Sequence, residues 1–361
     1  MLAAEAVNGV LKNSGLKHID ALYVGNAYGT SLSSQSQLGA LIADYSGLGN
    51  IEAYTVEAAE ASGGAALRTA YLAVASGIVE TAMVVGVEKS TDRVGGARIL
   101  ARNVSLDADY EGAHGVTLTA LAAMLMRRYM HEYDLELSAF EGFSINAHAN
   151  GSLNPKAMFR NSIKSGRFAK APMISDPVSL FDSAPDADGA AAVILTTLER
   201  AADLVPRPIQ IAGSAVATDT VALHDRKEPL FFRSAHVSAS RALSQAGLQK
   251  ADIDLFELHD TYTIMTTLTL EATGFAAQGR GWELASSNTI ALNGSLPIST
   301  FGGLKARGNP VGATGVYQVV EATLQLQQAA GDNQVMGAQY AMVQNLGGLA
   351  ATAVTHILSS V

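Results

Sequence analysis

Residues 4–26 read AEAVNGVLKNSGLKHIDALYVGN, and residues 238–260 read SASRALSQAGLQKADIDLFELHD. Each stretch is an amphipathic helix, a Gly-Leu stop, an Ile-Asp step and a short apolar strand. Further along, Ala82-Met83-Val84-Val85-Gly86 reads as a buried strand and finds an echo in Ala341-Met342-Val343-Gln344-Asn345. A helix opened by small residues precedes each echo, after Glu60-Ala61-Ser62-Gly63 in one case and Asn309-Pro310-Val311-Gly312 in the other. Chance likeness between amphipathic segments is the plain alternative for one pair. An ordered set of pairs implies two similar α/β halves.

Working outward, the periodicity predicts helices over 1–16, 37–47 and about 64–77, with strands at 21–24, 51–56 and 82–87. Strands alternating with helices predict βα units and a mostly parallel sheet. Residues 91–180 are more polar, with long helical stretches over 117–133 and 138–150, and read as an inserted loop or cap domain. A turn at Asp188-Gly189 feeds a strand, and Pro208 to Ala215 is another. The domain plan is therefore 1–90 with 181–200 as one half, 91–180 as the insertion, and 201–361 as the second half. One gap stands out: the second half has a strand before its first helix and the first half has none. Either the strand belongs to the protein and lies outside this sequence, or the chain does without it; the expectation is then compensation, by a partner chain or a shortened sheet.

The chain has 361 residues, enough for two domain-sized units or one large α/β unit. It is 48% hydrophobic and 16% charged, which excludes a disordered chain. The net charge is −9, and its 24 Lys and Arg form no basic run, which argues against a nucleic-acid partner. There is no cysteine, so disulfides, zinc–thiolate sites, iron–sulfur clusters and cysteine nucleophiles are excluded. No signal peptide opens the chain and no apolar run reaches the roughly 18 residues of a membrane helix. The expectation is a cytoplasmic protein without a membrane span.

Four side chains are candidates for chemistry. Glu60 stands at a helix start, where free N–H groups and the dipole favour an anion, although a capping acid has the same sequence. His259 ends an apolar strand, where α/β proteins place sites, and suits a base or an oxyanion donor. Tyr262 can donate a proton or be an ordinary buried ring. Asn309 lies in the glycine-dense run 302–315, which lacks the Gly-Lys-Ser/Thr of a phosphate loop. The backbone N–H groups of Gly347 and Gly348 form a second glycine turn after a strand. The remaining histidines show no metal-ligand spacing.

Eight segments occur in the order expected of one family: EAAEASGGAAL (57–67), AMVVGVEK (82–89), LMRRYMHEY (125–133), NPKAMF (154–159), ISDPVSLFDSAPDADGAAAV (174–193), ELHDTYT (257–263), GGLKARGNPVGATG (302–315) and QNLGG (344–348). Together they resemble the thiolase superfamily, above all its sterol-carrier and archaeal types. The resemblance implies a five-layer αβαβα thiolase fold of two repeated halves, an inserted loop domain, a tight homodimer and coenzyme A thioesters as substrates, with no covalently bound cofactor. It also implies a possible small partner protein with an OB-fold and a zinc ribbon. Arg160, Lys164, Arg167 and Lys170 lie in the loop domain; Arg160 and Arg167 are candidates for the coenzyme A phosphates, against the plainer reading of a solvated basic face.

The departures from the family pattern decide the chemistry. Glu60 stands where family members carry the nucleophilic cysteine, Asn309 where they carry the histidine of GHP, Thr261-Tyr262 where sterol-carrier relatives read Cys-Phe, and Asn345 where others carry the CIGG cysteine. His259 alone keeps its family identity. A glutamate nucleophile would form a mixed anhydride, which water destroys, and its anion would repel a carbanion. Acyl-enzyme chemistry is therefore disfavoured. The expected activity is C–C bond cleavage or formation on a 3-hydroxyacyl-CoA, aldolase-like, with Glu60 or Tyr262 as base and His259, Asn309 and the Gly347–Gly348 backbone holding the enolate. The alternatives are a non-catalytic thiolase-like subunit that binds acyl-CoA or a partner, and an acetyl-CoA C-acyltransferase with an atypical site.

Overall fold

The two Ile-Asp steps of the sequence repeat perform the same task in the computed structural model, which describes residues 2–361. In the first half, helix α1 (Leu2–Ser14) ends at Gly15, whose φ of +69° is the left-handed conformation of a helix stop. Strand β1 (Ala21–Gly25) follows. Helices α2 (Gly29–Leu32) and α3 (Leu38–Tyr45) lead to β2 (Glu52–Val56), α4 (Ser62–Ala75) and β3 (Thr81–Glu88). Oδ2 of Asp20 accepts the N–H groups of Glu80 (3.0 Å) and Thr81 (2.8 Å), which fixes the start of β3.

The inserted segment contributes α5 (Gly95–Arg102), α6 (Leu118–Glu132), α7 (Glu141–Leu153) and a small ribbon of β4 (Met173–Ser175) and β5 (Val178–Ser179). The chain returns through β6 (Gly189–Thr196), α8 (Leu198–Leu204) and β7 (Ile209–Thr218). In the second half α9 (Arg233–Ala246) stops at Gly247, φ +70°, and leads into β8 (Leu255–Glu257). Oδ2 of Asp254 accepts the N–H groups of Gln339 (2.8 Å) and Tyr340 (2.9 Å), the counterpart of the Asp20 contact. Helices α10 (Thr263–Ala272), α11 (Glu283–Ser286) and α12 (Thr314–Leu326) precede β9 (Tyr340–Gly347) and β10 (Thr352–Ser360).

The strand order is β2-β1-β3-β6 in one sheet and β7-β10-β9-β8 in the other. Apolar side chains of α4 (Leu67, Ala70) and α12 (Val316, Val319) fill the space between the sheets, against Tyr23 and Val84 on one side and Ala341 and Val343 on the other. Ala3 and Val7 of α1 and Ile42 of α3 cover the outer face of the first sheet. Ala239 and Ala242 of α9 cover the outer face of the second. The order of layers is α-β-α-β-α, a thiolase fold. The mostly parallel sheet expected from the sequence is a mixed one. Strands β1, β2 and β3 run parallel, as do β8 and β9, whereas β6 pairs β3, and β10 pairs β7 and β9, in antiparallel fashion. A turn joins β9 directly to β10, which forces the antiparallel pairing.

Glycines let the central helices start almost in contact. A Cβ on Gly63 would lie 2.8 Å from the carbonyl oxygen of Gly312, and one on Gly315 would lie 2.3 Å from the N of Gly64. The N-termini of α4 and α12 therefore meet at one point between the halves, and the candidate residues gather around it.

Candidate active site

Glu60 sits on a tight turn between β2 and α4. Ala59 adopts φ +50°, and Ser62 closes the turn by accepting the N–H of Ala58 at 2.9 Å and donating to the carbonyl of Ala59 at 2.5 Å. The helix begins at Ser62, so Glu60 stands just ahead of its first turn. Its side chain is 2% exposed. Oε1 accepts the Tyr28 hydroxyl at 2.5 Å and Oε2 accepts the N–H of Gly348 at 2.7 Å. The Gly348 donor, read from the sequence as free for an enolate, is thus engaged by Glu60. Gly347 allows this approach: a Cβ there would lie 2.4 Å from the Ala58 carbonyl oxygen.

Glu88 holds Tyr28 in place. Its Oε2 accepts the N–H groups of Ala27 (2.9 Å), Tyr28 (3.3 Å) and Gly312 (3.3 Å), and Oε1 accepts from the Asn26 amide at 2.9 Å. Burial pushes this carboxyl up to about 7, and the four donors moderate the rise.

His259 leaves the end of β8 and is buried. Asn345 on β9 accepts the Gly64 N–H through Oδ1 at 3.2 Å, which orients its amide so that Nδ2 donates to Nδ1 of His259 at 3.1 Å. The imidazole proton is therefore on Nε2. Burial, with the charges of Arg102 and Arg307, lowers the His259 pKa to about 3. His259 is a neutral donor rather than a general base near neutrality.

Asn309 is fixed in a similar way. Its Oδ1 accepts the Val311 N–H at 3.0 Å and lies 3.5 Å from the Thr314 hydroxyl, leaving Nδ2 as the free donor. Tyr262 precedes α10 and shares a 2.7 Å hydrogen bond with Thr119 of α6. Burial raises the Tyr262 pKa, so the phenol keeps its proton and suits an acid better than a base.

Asn309 and Tyr262 both line a cavity of about 1050 Å³ between the insertion and the core. Glu60 and His259 are not among its lining residues. Arg102 connects the two sets: it is half-buried, pairs with Asp186 on the wall, and feels the charge of Glu60. Lys305 also reaches the wall, with its ammonium on the carbonyl of Asp182. Of the basic residues read as contacts for coenzyme A, Lys164, Arg167 and Lys170 line the cavity and Arg160 does not. The lining carries six Lys or Arg and one carboxylate, Asp186, in a protein of net charge −9. Such a wall attracts an anionic ligand. Among the described residues no group of three or more His, Asp or Glu is placed to hold a metal ion.

Tyr28, Arg102 and Lys305 escaped the reading of the sequence. Arg98 and Arg102, four apart on α5, share Asp186, and that spacing was the one available signal.

The chain matches the thiolase N-terminal domain over residues 1–174 and the thiolase C-terminal domain-like family over residues 215–360. It is 39% identical to an acetyl-CoA acetyltransferase of Methanothermobacter thermautotrophicus, over 99% of this chain and 94% of that protein. It is 27% identical to sterol carrier protein 2 of Bos taurus, over 98% of this chain and 67% of that protein. The solved structure of the Ltp2-ChsH2(DUF35) aldolase superposes with a TM-score of 0.86 at 24% identity, over 99% of this chain and 92% of that one.

Proposed function

This chain belongs to the thiolase superfamily, and from that premise we propose that it cleaves or forms a C–C bond in a 3-hydroxyacyl-CoA without an acyl-enzyme. One observation carries the reading. The place of the nucleophile holds a carboxylate, Glu60, bound by the Tyr28 hydroxyl and the Gly348 N–H, in a chain without cysteine. No thioester can form on the protein, while donors for an enolate remain at Asn309, His259 and Tyr262.

In the cleavage direction a base takes the proton of the C3 hydroxyl. The C2–C3 bond breaks, its electron pair moves into the thioester carbonyl, and a ketone or aldehyde leaves. Nδ2 of Asn309 and Nε2–H of His259 hold the enolate oxygen. Tyr262 returns a proton to C2, which gives the shortened thioester. Glu60 is assigned as the base. Each of its oxygens accepts one hydrogen bond and keeps a second lone pair. Lys164, Arg167 and Lys170 meet the phosphates of coenzyme A. A homodimer and a small OB-fold partner with a zinc ribbon belong to the same proposal.

The test incubates the protein with 3-hydroxyacyl- and 3-oxoacyl-CoAs and follows shortened thioesters by mass spectrometry, with Glu60→Ala and Tyr262→Phe in parallel. Cleavage of a 3-hydroxyacyl-CoA that both substitutions abolish supports the proposal. Cleavage of a 3-oxoacyl-CoA that consumes free CoA would replace it with acyl transfer. A second reading, a subunit that binds acyl-CoA without turnover, is favoured by the absence of Glu60 and His259 from the cavity lining. Tight binding with no turnover would select it.

A further inference from the structure

Two arginines stand beside Asn309, and a single carboxylate holds both. The backbone around Asp186 brackets Asn309: the carbonyl of Pro185 accepts the Asn309 N–H at 2.9 Å, and Ala187 donates its N–H to the Asn309 carbonyl at 3.1 Å. The side chain of Asp186 reaches α5. Its Oδ2 lies 2.9 Å from Nε of Arg98, and its Oδ1 accepts from Nη1 of Arg102. The two arginines are one helical turn apart and so share a face of α5. Both line the cavity, as Asp186 and Asn309 do.

Asp186 does not use up the two guanidiniums. Each presents a planar fork of N–H groups, and a carboxylate that meets one nitrogen of each leaves most of both forks open. No further protein acceptor takes an N–H of either side chain among the described residues. Both oxygens of Glu60 are engaged elsewhere, by Tyr28 and Gly348. The side chains of Arg98 and Arg102 remain 31% and 17% exposed, so a ligand in the cavity can reach them. Lys305 differs: its side chain is 1% exposed and its ammonium is committed to Asp182. The other cations of the lining, Lys164, Arg167 and Lys170, sit together in the insertion and are assigned above to the phosphates. The α5 pair is thus a separate cationic group, tied to the donor at the reacting carbon.

We propose that Arg98 and Arg102 clamp a carboxylate carried by the acyl group, so that the substrate is a 3-hydroxyacyl-CoA with a second acid function. The proposal rests on the thioester reading above and names the class of acyl group. Asp186 sets the two forks side by side, and the substrate's carboxylate takes paired, charge-assisted hydrogen bonds from them. The same turn holds Asn309, so one unit grips the acid end and the thioester carbonyl and fixes the C2–C3 bond between them. An uncharged alkyl chain in that place would leave the forks without an acceptor as water is displaced, and would bind less well.

Saturated acyl-CoAs test the clamp apart from the reaction, because without a 3-hydroxyl they have no bond for retro-aldol cleavage. Succinyl-CoA is compared with butyryl-CoA, glutaryl- with valeryl-CoA and adipyl- with hexanoyl-CoA, by calorimetric titration at one salt concentration. In at least one pair the acid should bind about tenfold or more tightly. Arg98→Gln should bring that ratio to within about twofold, and Arg98→Lys, which keeps the charge without the fork, should give an intermediate ratio. A ratio near one in all three pairs would overturn the clamp. So would an Arg98→Gln protein in which both members of a pair weaken alike, because Arg98 would then meet a phosphate of coenzyme A. Should Arg98→Gln fail to fold, the Arg98→Lys ratio decides in its place. A preference for the acid in a protein that cleaves no 3-hydroxyacyl-CoA would uphold the clamp and remove the reaction alone. Cleavage without any preference would do the opposite.

Discussion

Gly348 donates its backbone N–H to Oε2 of Glu60 at 2.7 Å, across 288 residues of sequence. The bond joins the end of β9 to the start of α4, one element from each half. A carboxylate takes the donor there instead of a substrate oxygen, and the Tyr28 hydroxyl holds the other oxygen at 2.5 Å. Glu60 is thus both a chemical group and a clasp between the halves.

Removing the clasp separates these roles. Glu60→Ala leaves two buried donors without an acceptor and should cost about 2 kcal/mol of stability. Glu60→Gln keeps an acceptor for one of them and should cost about half as much. Both should lower 3-hydroxyacyl-CoA cleavage by about 100-fold or more, the usual effect of losing a general base. Denaturant midpoints and turnover measured on the same preparations check the pair. Full activity in Glu60→Gln would remove Glu60 from the role of base.

The two Ile-Asp steps provide a test of the duplication. Asp20 and Asp254 each accept two backbone N–H groups at the start of the neighbouring strand. Asp20→Ala and Asp254→Ala should each destabilise the protein by about 1–2 kcal/mol, by similar amounts. Their effects should add, because the sites lie in different sheets. Urea unfolding of the single and double variants measures this.

The repeat made both halves legible, because local patterns such as Gly15 and Gly247 ending α1 and α9 are set by neighbours in sequence. Strand direction was not, because the antiparallel placement of β6 depends on where a segment of about a hundred residues brings the chain back. The site was half legible for the same reason. Glu60, His259 and Asn309 announce themselves by glycines or strand ends beside them. Tyr28 and Arg102 act through partners 32 and 84 residues away, and the spacing of Arg98 and Arg102 is the one local mark of either.

The glycine contact between α4 and α12 admits no side chain. Gly63→Ala would push a methyl against the Gly312 carbonyl, now 2.8 Å from that position, and backbone cannot swing aside. The expected loss is about 3 kcal/mol, at the upper end for overpacking. Gly9→Ala, on α1 with open space around it, should be neutral or slightly stabilising. Thermal melts of the two variants distinguish close approach from a general intolerance of alanine.

The cavity cations divide by position. Arg167 lines the wall and Arg160 does not. Arg167→Ala should raise KM for a CoA thioester about three- to tenfold with kcat little changed, because a phosphate contact is made equally in ground and transition states. Arg160→Ala should leave both constants unchanged. Equal effects from the two would mean that the loop's net charge, and not a formed phosphate site, draws the ligand in.

The stability of the protein should form a plateau with two limbs in pH, the acid one shared by His259 and His356, whose pKa values burial lowers, and the neutral one by Glu88, Glu257 and Glu321, whose pKa values burial raises. His259 has its pKa lowered to about 3 from an ordinary 6.5, so below 6.5 the unfolded chain binds a proton that the fold refuses. Its contribution is complete above 6.5 and is lost as pH falls toward 3. Glu88 has its pKa raised to about 7 from an ordinary 4.5, so the unfolded chain ionises first. Its contribution is complete below 4.5 and is lost as pH rises through 7. Between 4.5 and 6.5 the two slopes oppose each other and stability changes little. His259→Gln should make the acid limb shallower and leave the neutral limb as it is, and Glu88→Gln should do the reverse, read as melting temperature against pH in each variant. If neither limb moves, these groups titrate in the fold as they do in the unfolded chain, and the neutral Nε2–H donor assigned to His259 would have to be abandoned.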